Sequence, residues 1–207
     1  MDTHTFFHAA ELDETNNYKL LSGLITPRPI GWVGSVSPDG HYNVAPFSFF
    51  NAISGHPPTV MFSAGVNPRV KDSPANVIAT GEFTVNIVTD ETAEAMNVTA
   101  GEYPADVDEF EIAGLTAVPG LIVKAPRVAE ATASLECRLS HTFDVGPDDG
   151  PPSNRVIVGE VVAYHVADRV LDGTRITASE LKSIGRLAGS GYARTSPGLF
   201  EMPRPQV

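Results

Sequence analysis

Residues 30–47 carry the feature that most limits the folds open to this chain. Two apolar segments, IGWVGSV and HYNVAPF, flank the four residues Ser37–Gly40. Proline at the second position of that stretch and glycine at the fourth are typical of a tight β-turn. The pattern therefore predicts an antiparallel hairpin near the N-terminus.

Four further segments have the composition of β-strands. In the third of them, SLECRLSHTFDV, apolar and polar residues alternate from Leu135 to Val145. This alternation assigns Cys137 to the apolar face and Glu136 to the polar face. The fourth, RVIVGEVVAYHV, is apolar on both faces and is predicted to be a central strand. In chain order the segments are TVMFSAG, EFTVNIV, SLECRLSHTFDV and RVIVGEVVAYHV.

Short helices are predicted between the strands. Thr15 is the expected N-cap of the first, Asp72 or Ser73 of the second, and Gly101 the end of the third. Their sequences are TNNYKLLSG, KDSPANVIATG and TDETAEAMNVTAG. Residues 102–127, acidic and then rich in Pro and Gly, are expected to run over the surface. Because strands cluster instead of alternating with helices, the fold class is mainly β, a closed or half-closed antiparallel barrel.

The size and charge of the chain exclude several classes of protein. Its 207 residues suit a single domain spanning 1–207, and a net charge of −11 argues against nucleic acid or an anionic membrane as partner. One cysteine, Cys137, leaves no internal disulfide. The N-terminus lacks a secretory signal pattern, and prolines and asparagines interrupt the charge-free window 40–68, so a cytoplasmic protein without membrane spans is expected.

The usual catalytic and metal-binding motifs are absent from the sequence. It contains no nucleophile elbow, no zinc-protease motif and no P-loop, and its six histidines share no metal-ligand spacing. The segment GRLAGSG has the wrong glycine spacing for a dinucleotide-binding loop. We therefore assign no catalytic residue and no metal ligand.

One segment suits an anion. In NPRVKDSPAN, Arg69 and Lys71 lead into a helix that carries the Ser73 hydroxyl in its first turn. Cations, a hydroxyl and unpaired backbone N–H groups together favour a phosphate, although an ordinary capped helix with basic neighbours has the same pattern. Arg28, between Pro27 and Pro29, is either a second cation for the site or a surface arginine.

A second segment, NVAPFSFFNAISGHPP, suits a planar ring. No charged residue occurs between Asp39 and Arg69. We expect Pro46 to interrupt strand hydrogen bonding around residues 45–48, while Ser48 and Asn51 add polar groups. The neighbouring phenylalanines can pack in the core or against a ring. A ring and a phosphate without a dinucleotide loop indicate a mononucleotide-type cofactor.

Three blocks, in this order, carry a family resemblance: TPRPIGWVGSVSPDGHYNVAPFSFFNAISGHPPTVMFS, KDSPANVIATGEFTVN and LECRL. Together they resemble the flavin-reductase-like, FMN-binding split-barrel family that is associated with flavoprotein oxygenases. The likeness covers about residues 18–192 and leaves a C-terminal tail at 193–207. It implies a homodimer of Greek-key split β-barrels, each holding FMN non-covalently near the subunit interface.

The resemblance also implies which residues contact the cofactor. For the ring and ribityl chain these are Ala45, Pro46, Phe47, Ser48 and Asn51. For the phosphate end they are Ser63, Lys71, Asp72 and Ser73, with Arg28 and Arg69 as further cations. The segment GRLAGSGY resembles a family motif that would place Arg186 and Tyr192 beside or over the flavin.

The same resemblance implies the activity of an NAD(P)H-dependent flavin reductase that passes a hydride to bound flavin. It also implies an oxygenase as a partner. Because the cofactor performs the hard step, the lack of an acid–base pair in the sequence is consistent with this activity. Two alternatives stay open: an FMN-holding electron carrier without nicotinamide activity, and an enzyme that reduces an organic substrate directly on FMN.

Overall fold

The computed structural model describes residues 2–66 and 70–205. Over these ranges the chain is mainly β. The strands are β1 (Arg28–Pro29), β2 (Gly31–Val36), β3 (Tyr42–Phe47), β4 (Phe50–Gly55), β5 (Pro58–Gly65), β6 (Glu82–Ile87), β7 (Ala117–Val118), β8 (Arg127–Val128), β9 (Ala133–Val145), β10 (Asn154–Val166), β11 (Leu171–Asp172), β12 (Arg175–Ile176), β13 (Ile184–Arg186) and β14 (Tyr192–Arg194). The α-helices are α1 (Glu14–Leu24), α2 (Asp72–Thr80), α3 (Ala93–Val98), α4 (Glu109–Ile112) and α5 (Ala178–Leu181).

A seven-stranded antiparallel sheet forms the body of the molecule, in the order β3-β2-β6-β9-β10-β5-β4. The predicted hairpin is β2 and β3, and its turn is closed by a 3.0 Å hydrogen bond from Gly40 N–H to Ser37 O. The two 13-residue strands β9 and β10 lie near the middle of the sheet, as expected for the latter. The predicted fold class, mainly β and antiparallel with a few short helices, is confirmed.

The two edges of this sheet are neighbours in sequence. Only Ser48 and Phe49 separate the end of β3 from the start of β4, so the sheet curls until its edges meet there. At that end Ser63 N–H donates to Phe49 O at 2.8 Å, and the Phe47 and Phe62 ring centroids lie 4.8 Å apart. Among the described residues no strand pairs with the outer edge of β3. The barrel is therefore closed at one end and split along β3.

Two groups of buried apolar residues support this shape. One fills the barrel and includes Val33, Phe62 and Phe83. The other lies outside it and includes Trp32 and Phe110, which pack α3 and α4 against β2 and β3. The second group positions the segments that border the split.

The helices differ from prediction mainly at their ends. Asp13, not Thr15, caps α1, and its Oδ1 accepts the Asn16 N–H at 2.7 Å. The N-cap of α2 is Lys71, which makes no side-chain capping bond, while Gly81 ends the helix at φ 76° as its sequence suggests. Helix α3 ends at Val98, three residues before the predicted Gly101. None of the helices in the described ranges is long and apolar enough to cross a membrane.

Glu136 contradicts the alternation read from the sequence. It is fully buried, although its position in β9 places it opposite the barrel core. Its carboxylate accepts the backbone N–H groups of three successive residues at 2.7 Å each, and His165 Nε2 lies 2.5 Å from its Oε1. The three donors are Leu121, Ile122 and Val123. The expectation that residues 102–127 stay on the surface is thus wrong in part, because this loop covers the outer face of β9.

Candidate functional site

A cavity of about 550 Å³ opens at the split in the barrel. The end of β3 borders it on one side and the adjoining ends of β5 and β10 on the other. The start of α2, the segment after α3, one residue of α4 and Tyr18 of α1 complete it. The lining residues are Tyr18, Asn43, Ala45, Pro46, Phe47, Ser48, Phe49, Ser63, Ala64, Gly65, Lys71, Asp72, Ser73, Thr99, Ala100, Gly101, Glu102, Tyr103, Pro104, Glu109 and Asn154.

Pro46 does not interrupt its strand, contrary to expectation. It lies within β3 and pairs with Trp32 of β2. The N–H of Val44 donates to Glu109 at 3.3 Å, so it points away from β2. Backbone groups alternate in direction along an antiparallel strand, so the backbone groups of residue 46 also point away from β2. Proline at this position costs no ladder bond. The outer edge of β3 near Pro46 therefore presents main-chain acceptors to the cavity.

The predicted anion-binding segment lies at the other end of the same cavity. Lys71 is the single cation among the described lining residues, and its Nζ lies 3.6 Å from Glu102 Oε1 on the segment after α3. The Ser73 hydroxyl is 1% exposed and donates to Asn43 Oδ1 at 2.6 Å. Ser73 thus joins α2 to β3, and its hydroxyl is already engaged within the protein.

Polar and aromatic side chains flank the region between these ends. Asn154 Nδ2 donates to Ser63 Oγ at 3.1 Å, which joins β10 to β5 at the cavity. Tyr18 and Phe49 lie with ring centroids 6.4 Å apart and provide an apolar surface. Of the two packing environments open to these phenylalanines, Phe49 borders the cavity and Phe50 packs against the barrel core.

No sequence pattern selected Glu109, because it lies in a segment expected to be a surface loop. It is 5% exposed and lines the cavity. Burial raises the pKa of its carboxyl, hydrogen bonds from its own amide, Val44 N–H and Asn43 lower it in part, and Asp72 raises it further. Only the packing of α4 against β3 brings this group to the site, and no local motif marks it.

Arg28 and Asn51, both predicted to contact a cofactor, are not among the residues that line this cavity. Arg28 is 5% exposed, and its guanidinium donates to the carbonyls of Ser22, Ile25 and Leu187 at 2.5, 2.9 and 3.1 Å. It ties the end of α1 to the loop after β13, and its Nε donates to Ser48 Oγ at 3.4 Å. Arg28 thus contacts a lining residue without itself lining the cavity. Asn51 is exposed on β4, where its Oδ1 accepts the neighbouring backbone N–H.

Arg186 and Tyr192 line a different cavity, of about 660 Å³, that shares no lining residue with the first. The Arg186 guanidinium lies 4.6 Å from the Tyr192 ring centroid and donates to the Tyr192 hydroxyl and to Gly189 O. Arg69 lies outside the described residues. The cavity at the split thus unites eight of the thirteen predicted residues, namely Ala45, Pro46, Phe47, Ser48, Ser63, Lys71, Asp72 and Ser73.

Residues 23–179 match the family model described as the flavin reductase like domain. The chain belongs to this family. Members of this family are flavin-related oxidoreductases. The predicted function is therefore confirmed at this level, that of a flavin-related oxidoreductase. Within the described residues, no three His, Cys, Asp or Glu side chains are grouped so as to hold a metal ion.

Three solved structures resemble this one. Component B of nitrilotriacetate monooxygenase from Bacillus cereus is 36% identical, with a TM-score of 0.94 over 98% of this chain and 100% of that one. The 2-nitrobenzoate 2-nitroreductase of Pseudomonas fluorescens is 28% identical, with a TM-score of 0.87 over 97% and 96%. A putative flavin reductase with a split barrel domain from Shewanella frigidimarina is 20% identical, with a TM-score of 0.80 over 96% of each chain. The last likeness supports the split-barrel fold alone.

The residues at the split fit a flavin. The cavity volume lies within the range of about 300–1,000 Å³ that is usual for small-molecule sites. The edge of β3 offers main-chain groups to a hydrogen-bonding ring, the aromatic pair offers an apolar surface, and Lys71 beside the start of α2 offers a cation to a phosphate. Among the described lining residues, the carboxylates around Lys71 are the groups that would repel an anion.

Proposed function

We propose that this chain binds FMN non-covalently at the barrel split and acts as an NAD(P)H-dependent flavin reductase. The observation that carries the proposal is that one cavity joins the unpaired edge of β3 to the start of α2. An edge with main-chain acceptors suits a hydrogen-bonding ring, and a lysine beside a helix N-terminus suits a phosphate. Membership of the flavin reductase like family supports the same reading.

The chain's own residues bind and orient in this proposal. The edge of β3 fixes the plane of the ring, Lys71 offsets the charge of the phosphate, and Phe49 with Tyr18 excludes water from one side. A bound flavin supplies the redox chemistry, since its ring accepts a hydride from reduced nicotinamide. No side chain is required to move a proton in that step, so we assign no catalytic residue.

Titration with FMN followed by anaerobic reduction tests this function. We expect saturable binding and, with NADH or NADPH, loss of the flavin absorbance at about 450 nm. Failure to bind FMN would exclude the cofactor assignment. Binding without bleaching by either nicotinamide would exclude the reductase and leave an electron carrier that another protein reduces.

The two more similar solved structures suggest where the electrons go. The Bacillus cereus protein is a component of a monooxygenase, which favours a partner oxygenase for this chain too. The Pseudomonas fluorescens protein is a nitroreductase, which favours direct reduction of an organic substrate at the same cavity as a second candidate. Anaerobic NAD(P)H consumption driven by a nitroaromatic acid, with FMN held bound, would select the second candidate.

A homodimer is part of the proposal, and the exposed apolar residues of β9 support it. Phe143 and Val145 are 53% and 48% exposed. Phe143 lies in register with Val156 and then Ser63, and Val145 with Asn154 and then Gly65. Residues directly opposite one another share a sheet face. The two exposed side chains therefore extend the face that lines the cavity, and a second copy covering them would border the site.

Replacing Phe143 by glutamate tests the dimer. We expect the wild-type chain to sediment as a dimer at micromolar concentration and the variant to shift to monomer, because a charge in an apolar interface is left unpaired. Leu121→Glu, which alters an 82% exposed leucine on the loop over β9, is the matched control and should remain dimeric. A monomeric wild-type chain in sedimentation velocity would overturn the assembly.

A further inference from the structure

Among the residues that the structure describes, carboxyl groups outnumber cations at the end of the cavity assigned to the phosphate. Lys71 and Asp72 face it from α2, Glu102 and Tyr103 from the segment after α3, and Glu109 from α4. Lys71 already lies 3.6 Å from the Glu102 carboxylate. Among the described residues, a phosphate entering here meets one cation and three carboxyl groups, and a proton on one of these carboxyl groups would lower the repulsion.

Glu109 is the most enclosed of these carboxyl groups. Phe110 is 2% exposed, and its ring centroid lies 6.3 Å from that of Tyr42 in an edge-on contact. This contact packs α4 against β3 and places Glu109 beside the strand. The Glu109 side chain accepts Asn43 Nδ2 at 2.7 Å and Val44 N–H at 3.3 Å. Asp72 and Glu102 lie nearer to bulk water, where solvent screens their charge at lower cost.

The contacts of Glu109 also connect it to the start of α2. The Oδ1 of Asn43 accepts from Ser73 Oγ at 2.6 Å and from Ser35 Oγ at 3.3 Å, while the Nδ2 of Asn43 donates to Glu109. The Glu109 carboxyl therefore lies two hydrogen bonds from the first turn of α2. Its preference for the neutral form arises from burial first and from Asp72 in addition, so its pKa already exceeds the ordinary value. An added anion acts in the same direction.

We propose that Glu109 takes up one proton from solvent when the phosphate of a flavin occupies the cavity, so that this carboxyl sets the pH dependence of binding. The inference rests on the proposed function, because it requires an anionic flavin at the start of α2. By linkage, a ligand that favours the protonated form binds more weakly as pH rises and the carboxyl ionises. Glu109 is a positioning and specificity residue here, and it carries out no chemical step.

Binding measured across pH tests the inference. FMN is titrated between pH 5 and 9, by fluorescence for affinity and by calorimetry in two buffers of different ionisation enthalpy for proton uptake. The FMN phosphate itself takes up its second proton at about pH 6. Glu109→Gln, which lacks the carboxyl at position 109 but binds the same phosphate, therefore provides the reference. We expect the wild-type Kd to rise about tenfold more across this range than that of Glu109→Gln. Glu111→Gln, an exposed carboxylate on the same helix, should behave as wild type.

Riboflavin, which has the ring without the phosphate, separates the possible results. Binding of riboflavin should be independent of Glu109 ionisation and should show no net proton uptake by the wild-type chain. Equal pH profiles for FMN in wild type and Glu109→Gln, or no excess proton uptake by the wild type, would overturn the role of Glu109 while leaving the proposed function intact. Absence of FMN binding at every pH would overturn both. The calorimetric arm uses the wild-type chain and does not depend on the variant folding.

Discussion

Replacement of Glu136 by glutamine is expected to lower the free energy of unfolding by about 3 kcal/mol at neutral pH. The buried carboxylate accepts three backbone N–H groups and the His165 imidazole. Because an ionised carboxylate only accepts, Nε2 of His165 is the protonated nitrogen. These bonds hold the pKa of Glu136 at about 2, although burial opposes ionisation. A lowering from 4.5 to about 2 corresponds to the stated loss.

The pH dependence of this effect has a definite sign. The folded pKa of about 2 lies below the ordinary value of 4.5, so the folded state binds fewer protons than the unfolded state between these values. The stabilisation is complete above about pH 4.5 and is lost as pH falls toward 2. The stability difference between wild type and Glu136→Gln should therefore be constant near neutrality and shrink in acid.

Urea unfolding at several pH values provides the measurement, with Glu130→Gln as the matched control. Glu130 also accepts a loop N–H, from Thr116 at 3.0 Å, but it does so at the surface. We expect that control to cost less than about 0.5 kcal/mol. Equal losses in the two variants would mean that burial of Glu136 contributes nothing. A glycine at 120 is also required here, because a Cβ would lie 2.9 Å from Glu136 Oε2 and 2.4 Å from Val123 O.

Replacement of Gly65 by tryptophan is expected to weaken FMN binding about a hundredfold. Gly65 ends β5 and lines the cavity, its φ lies outside the left-handed region, and a Cβ there would have no neighbour nearer than 4.0 Å. The new side chain is thus compatible with the strand and is free to occupy the cavity. Excluding a ligand from occupied volume costs roughly 1–3 kcal/mol or more, and 1.4 kcal/mol is tenfold in affinity.

Gly55→Trp is the matched control, since this glycine ends the preceding strand with nothing within 4 Å of a Cβ and lies outside the cavity lining. Fluorescence titration with FMN measures both variants. Sedimentation of the Gly65 variant shows whether its assembly is unchanged. Undiminished FMN affinity in Gly65→Trp would mean that flavin binds elsewhere on the molecule.

The sequence predicted most reliably where local rules decide the structure. The β2–β3 hairpin follows from its Pro and Gly turn, the end of α2 from Gly81, and the central position of β10 from its two apolar faces. The residue pattern also paired β3 with the start of α2 as two ends of one ligand site, and the cavity at the split unites them.

The sequence predicted less where distant segments meet. Alternation in β9 assigned Glu136 to the polar face, yet the side chain is buried, because a loop folding over the outer face of a strand leaves no mark on that strand's own pattern. Arg28 was a candidate cation, yet carbonyls at the end of α1 and in the loop after β13 engage its guanidinium. Ser73 was a candidate phosphate ligand, yet Asn43 accepts its hydroxyl.

By itself the sequence determined the fold class, the main strand pairing of the N-terminal hairpin and the two segments that border the cavity. These depend on turn chemistry and side-chain periodicity, which act over a few residues. Tertiary structure alone decided that the edges of the sheet meet at Ser48 and Phe49 and that Glu109 enters the cavity from α4. Burial and hydrogen-bond partners are set by segments far apart in the chain, so no local pattern specifies whether a polar side chain is free for a ligand or already bonded within the protein.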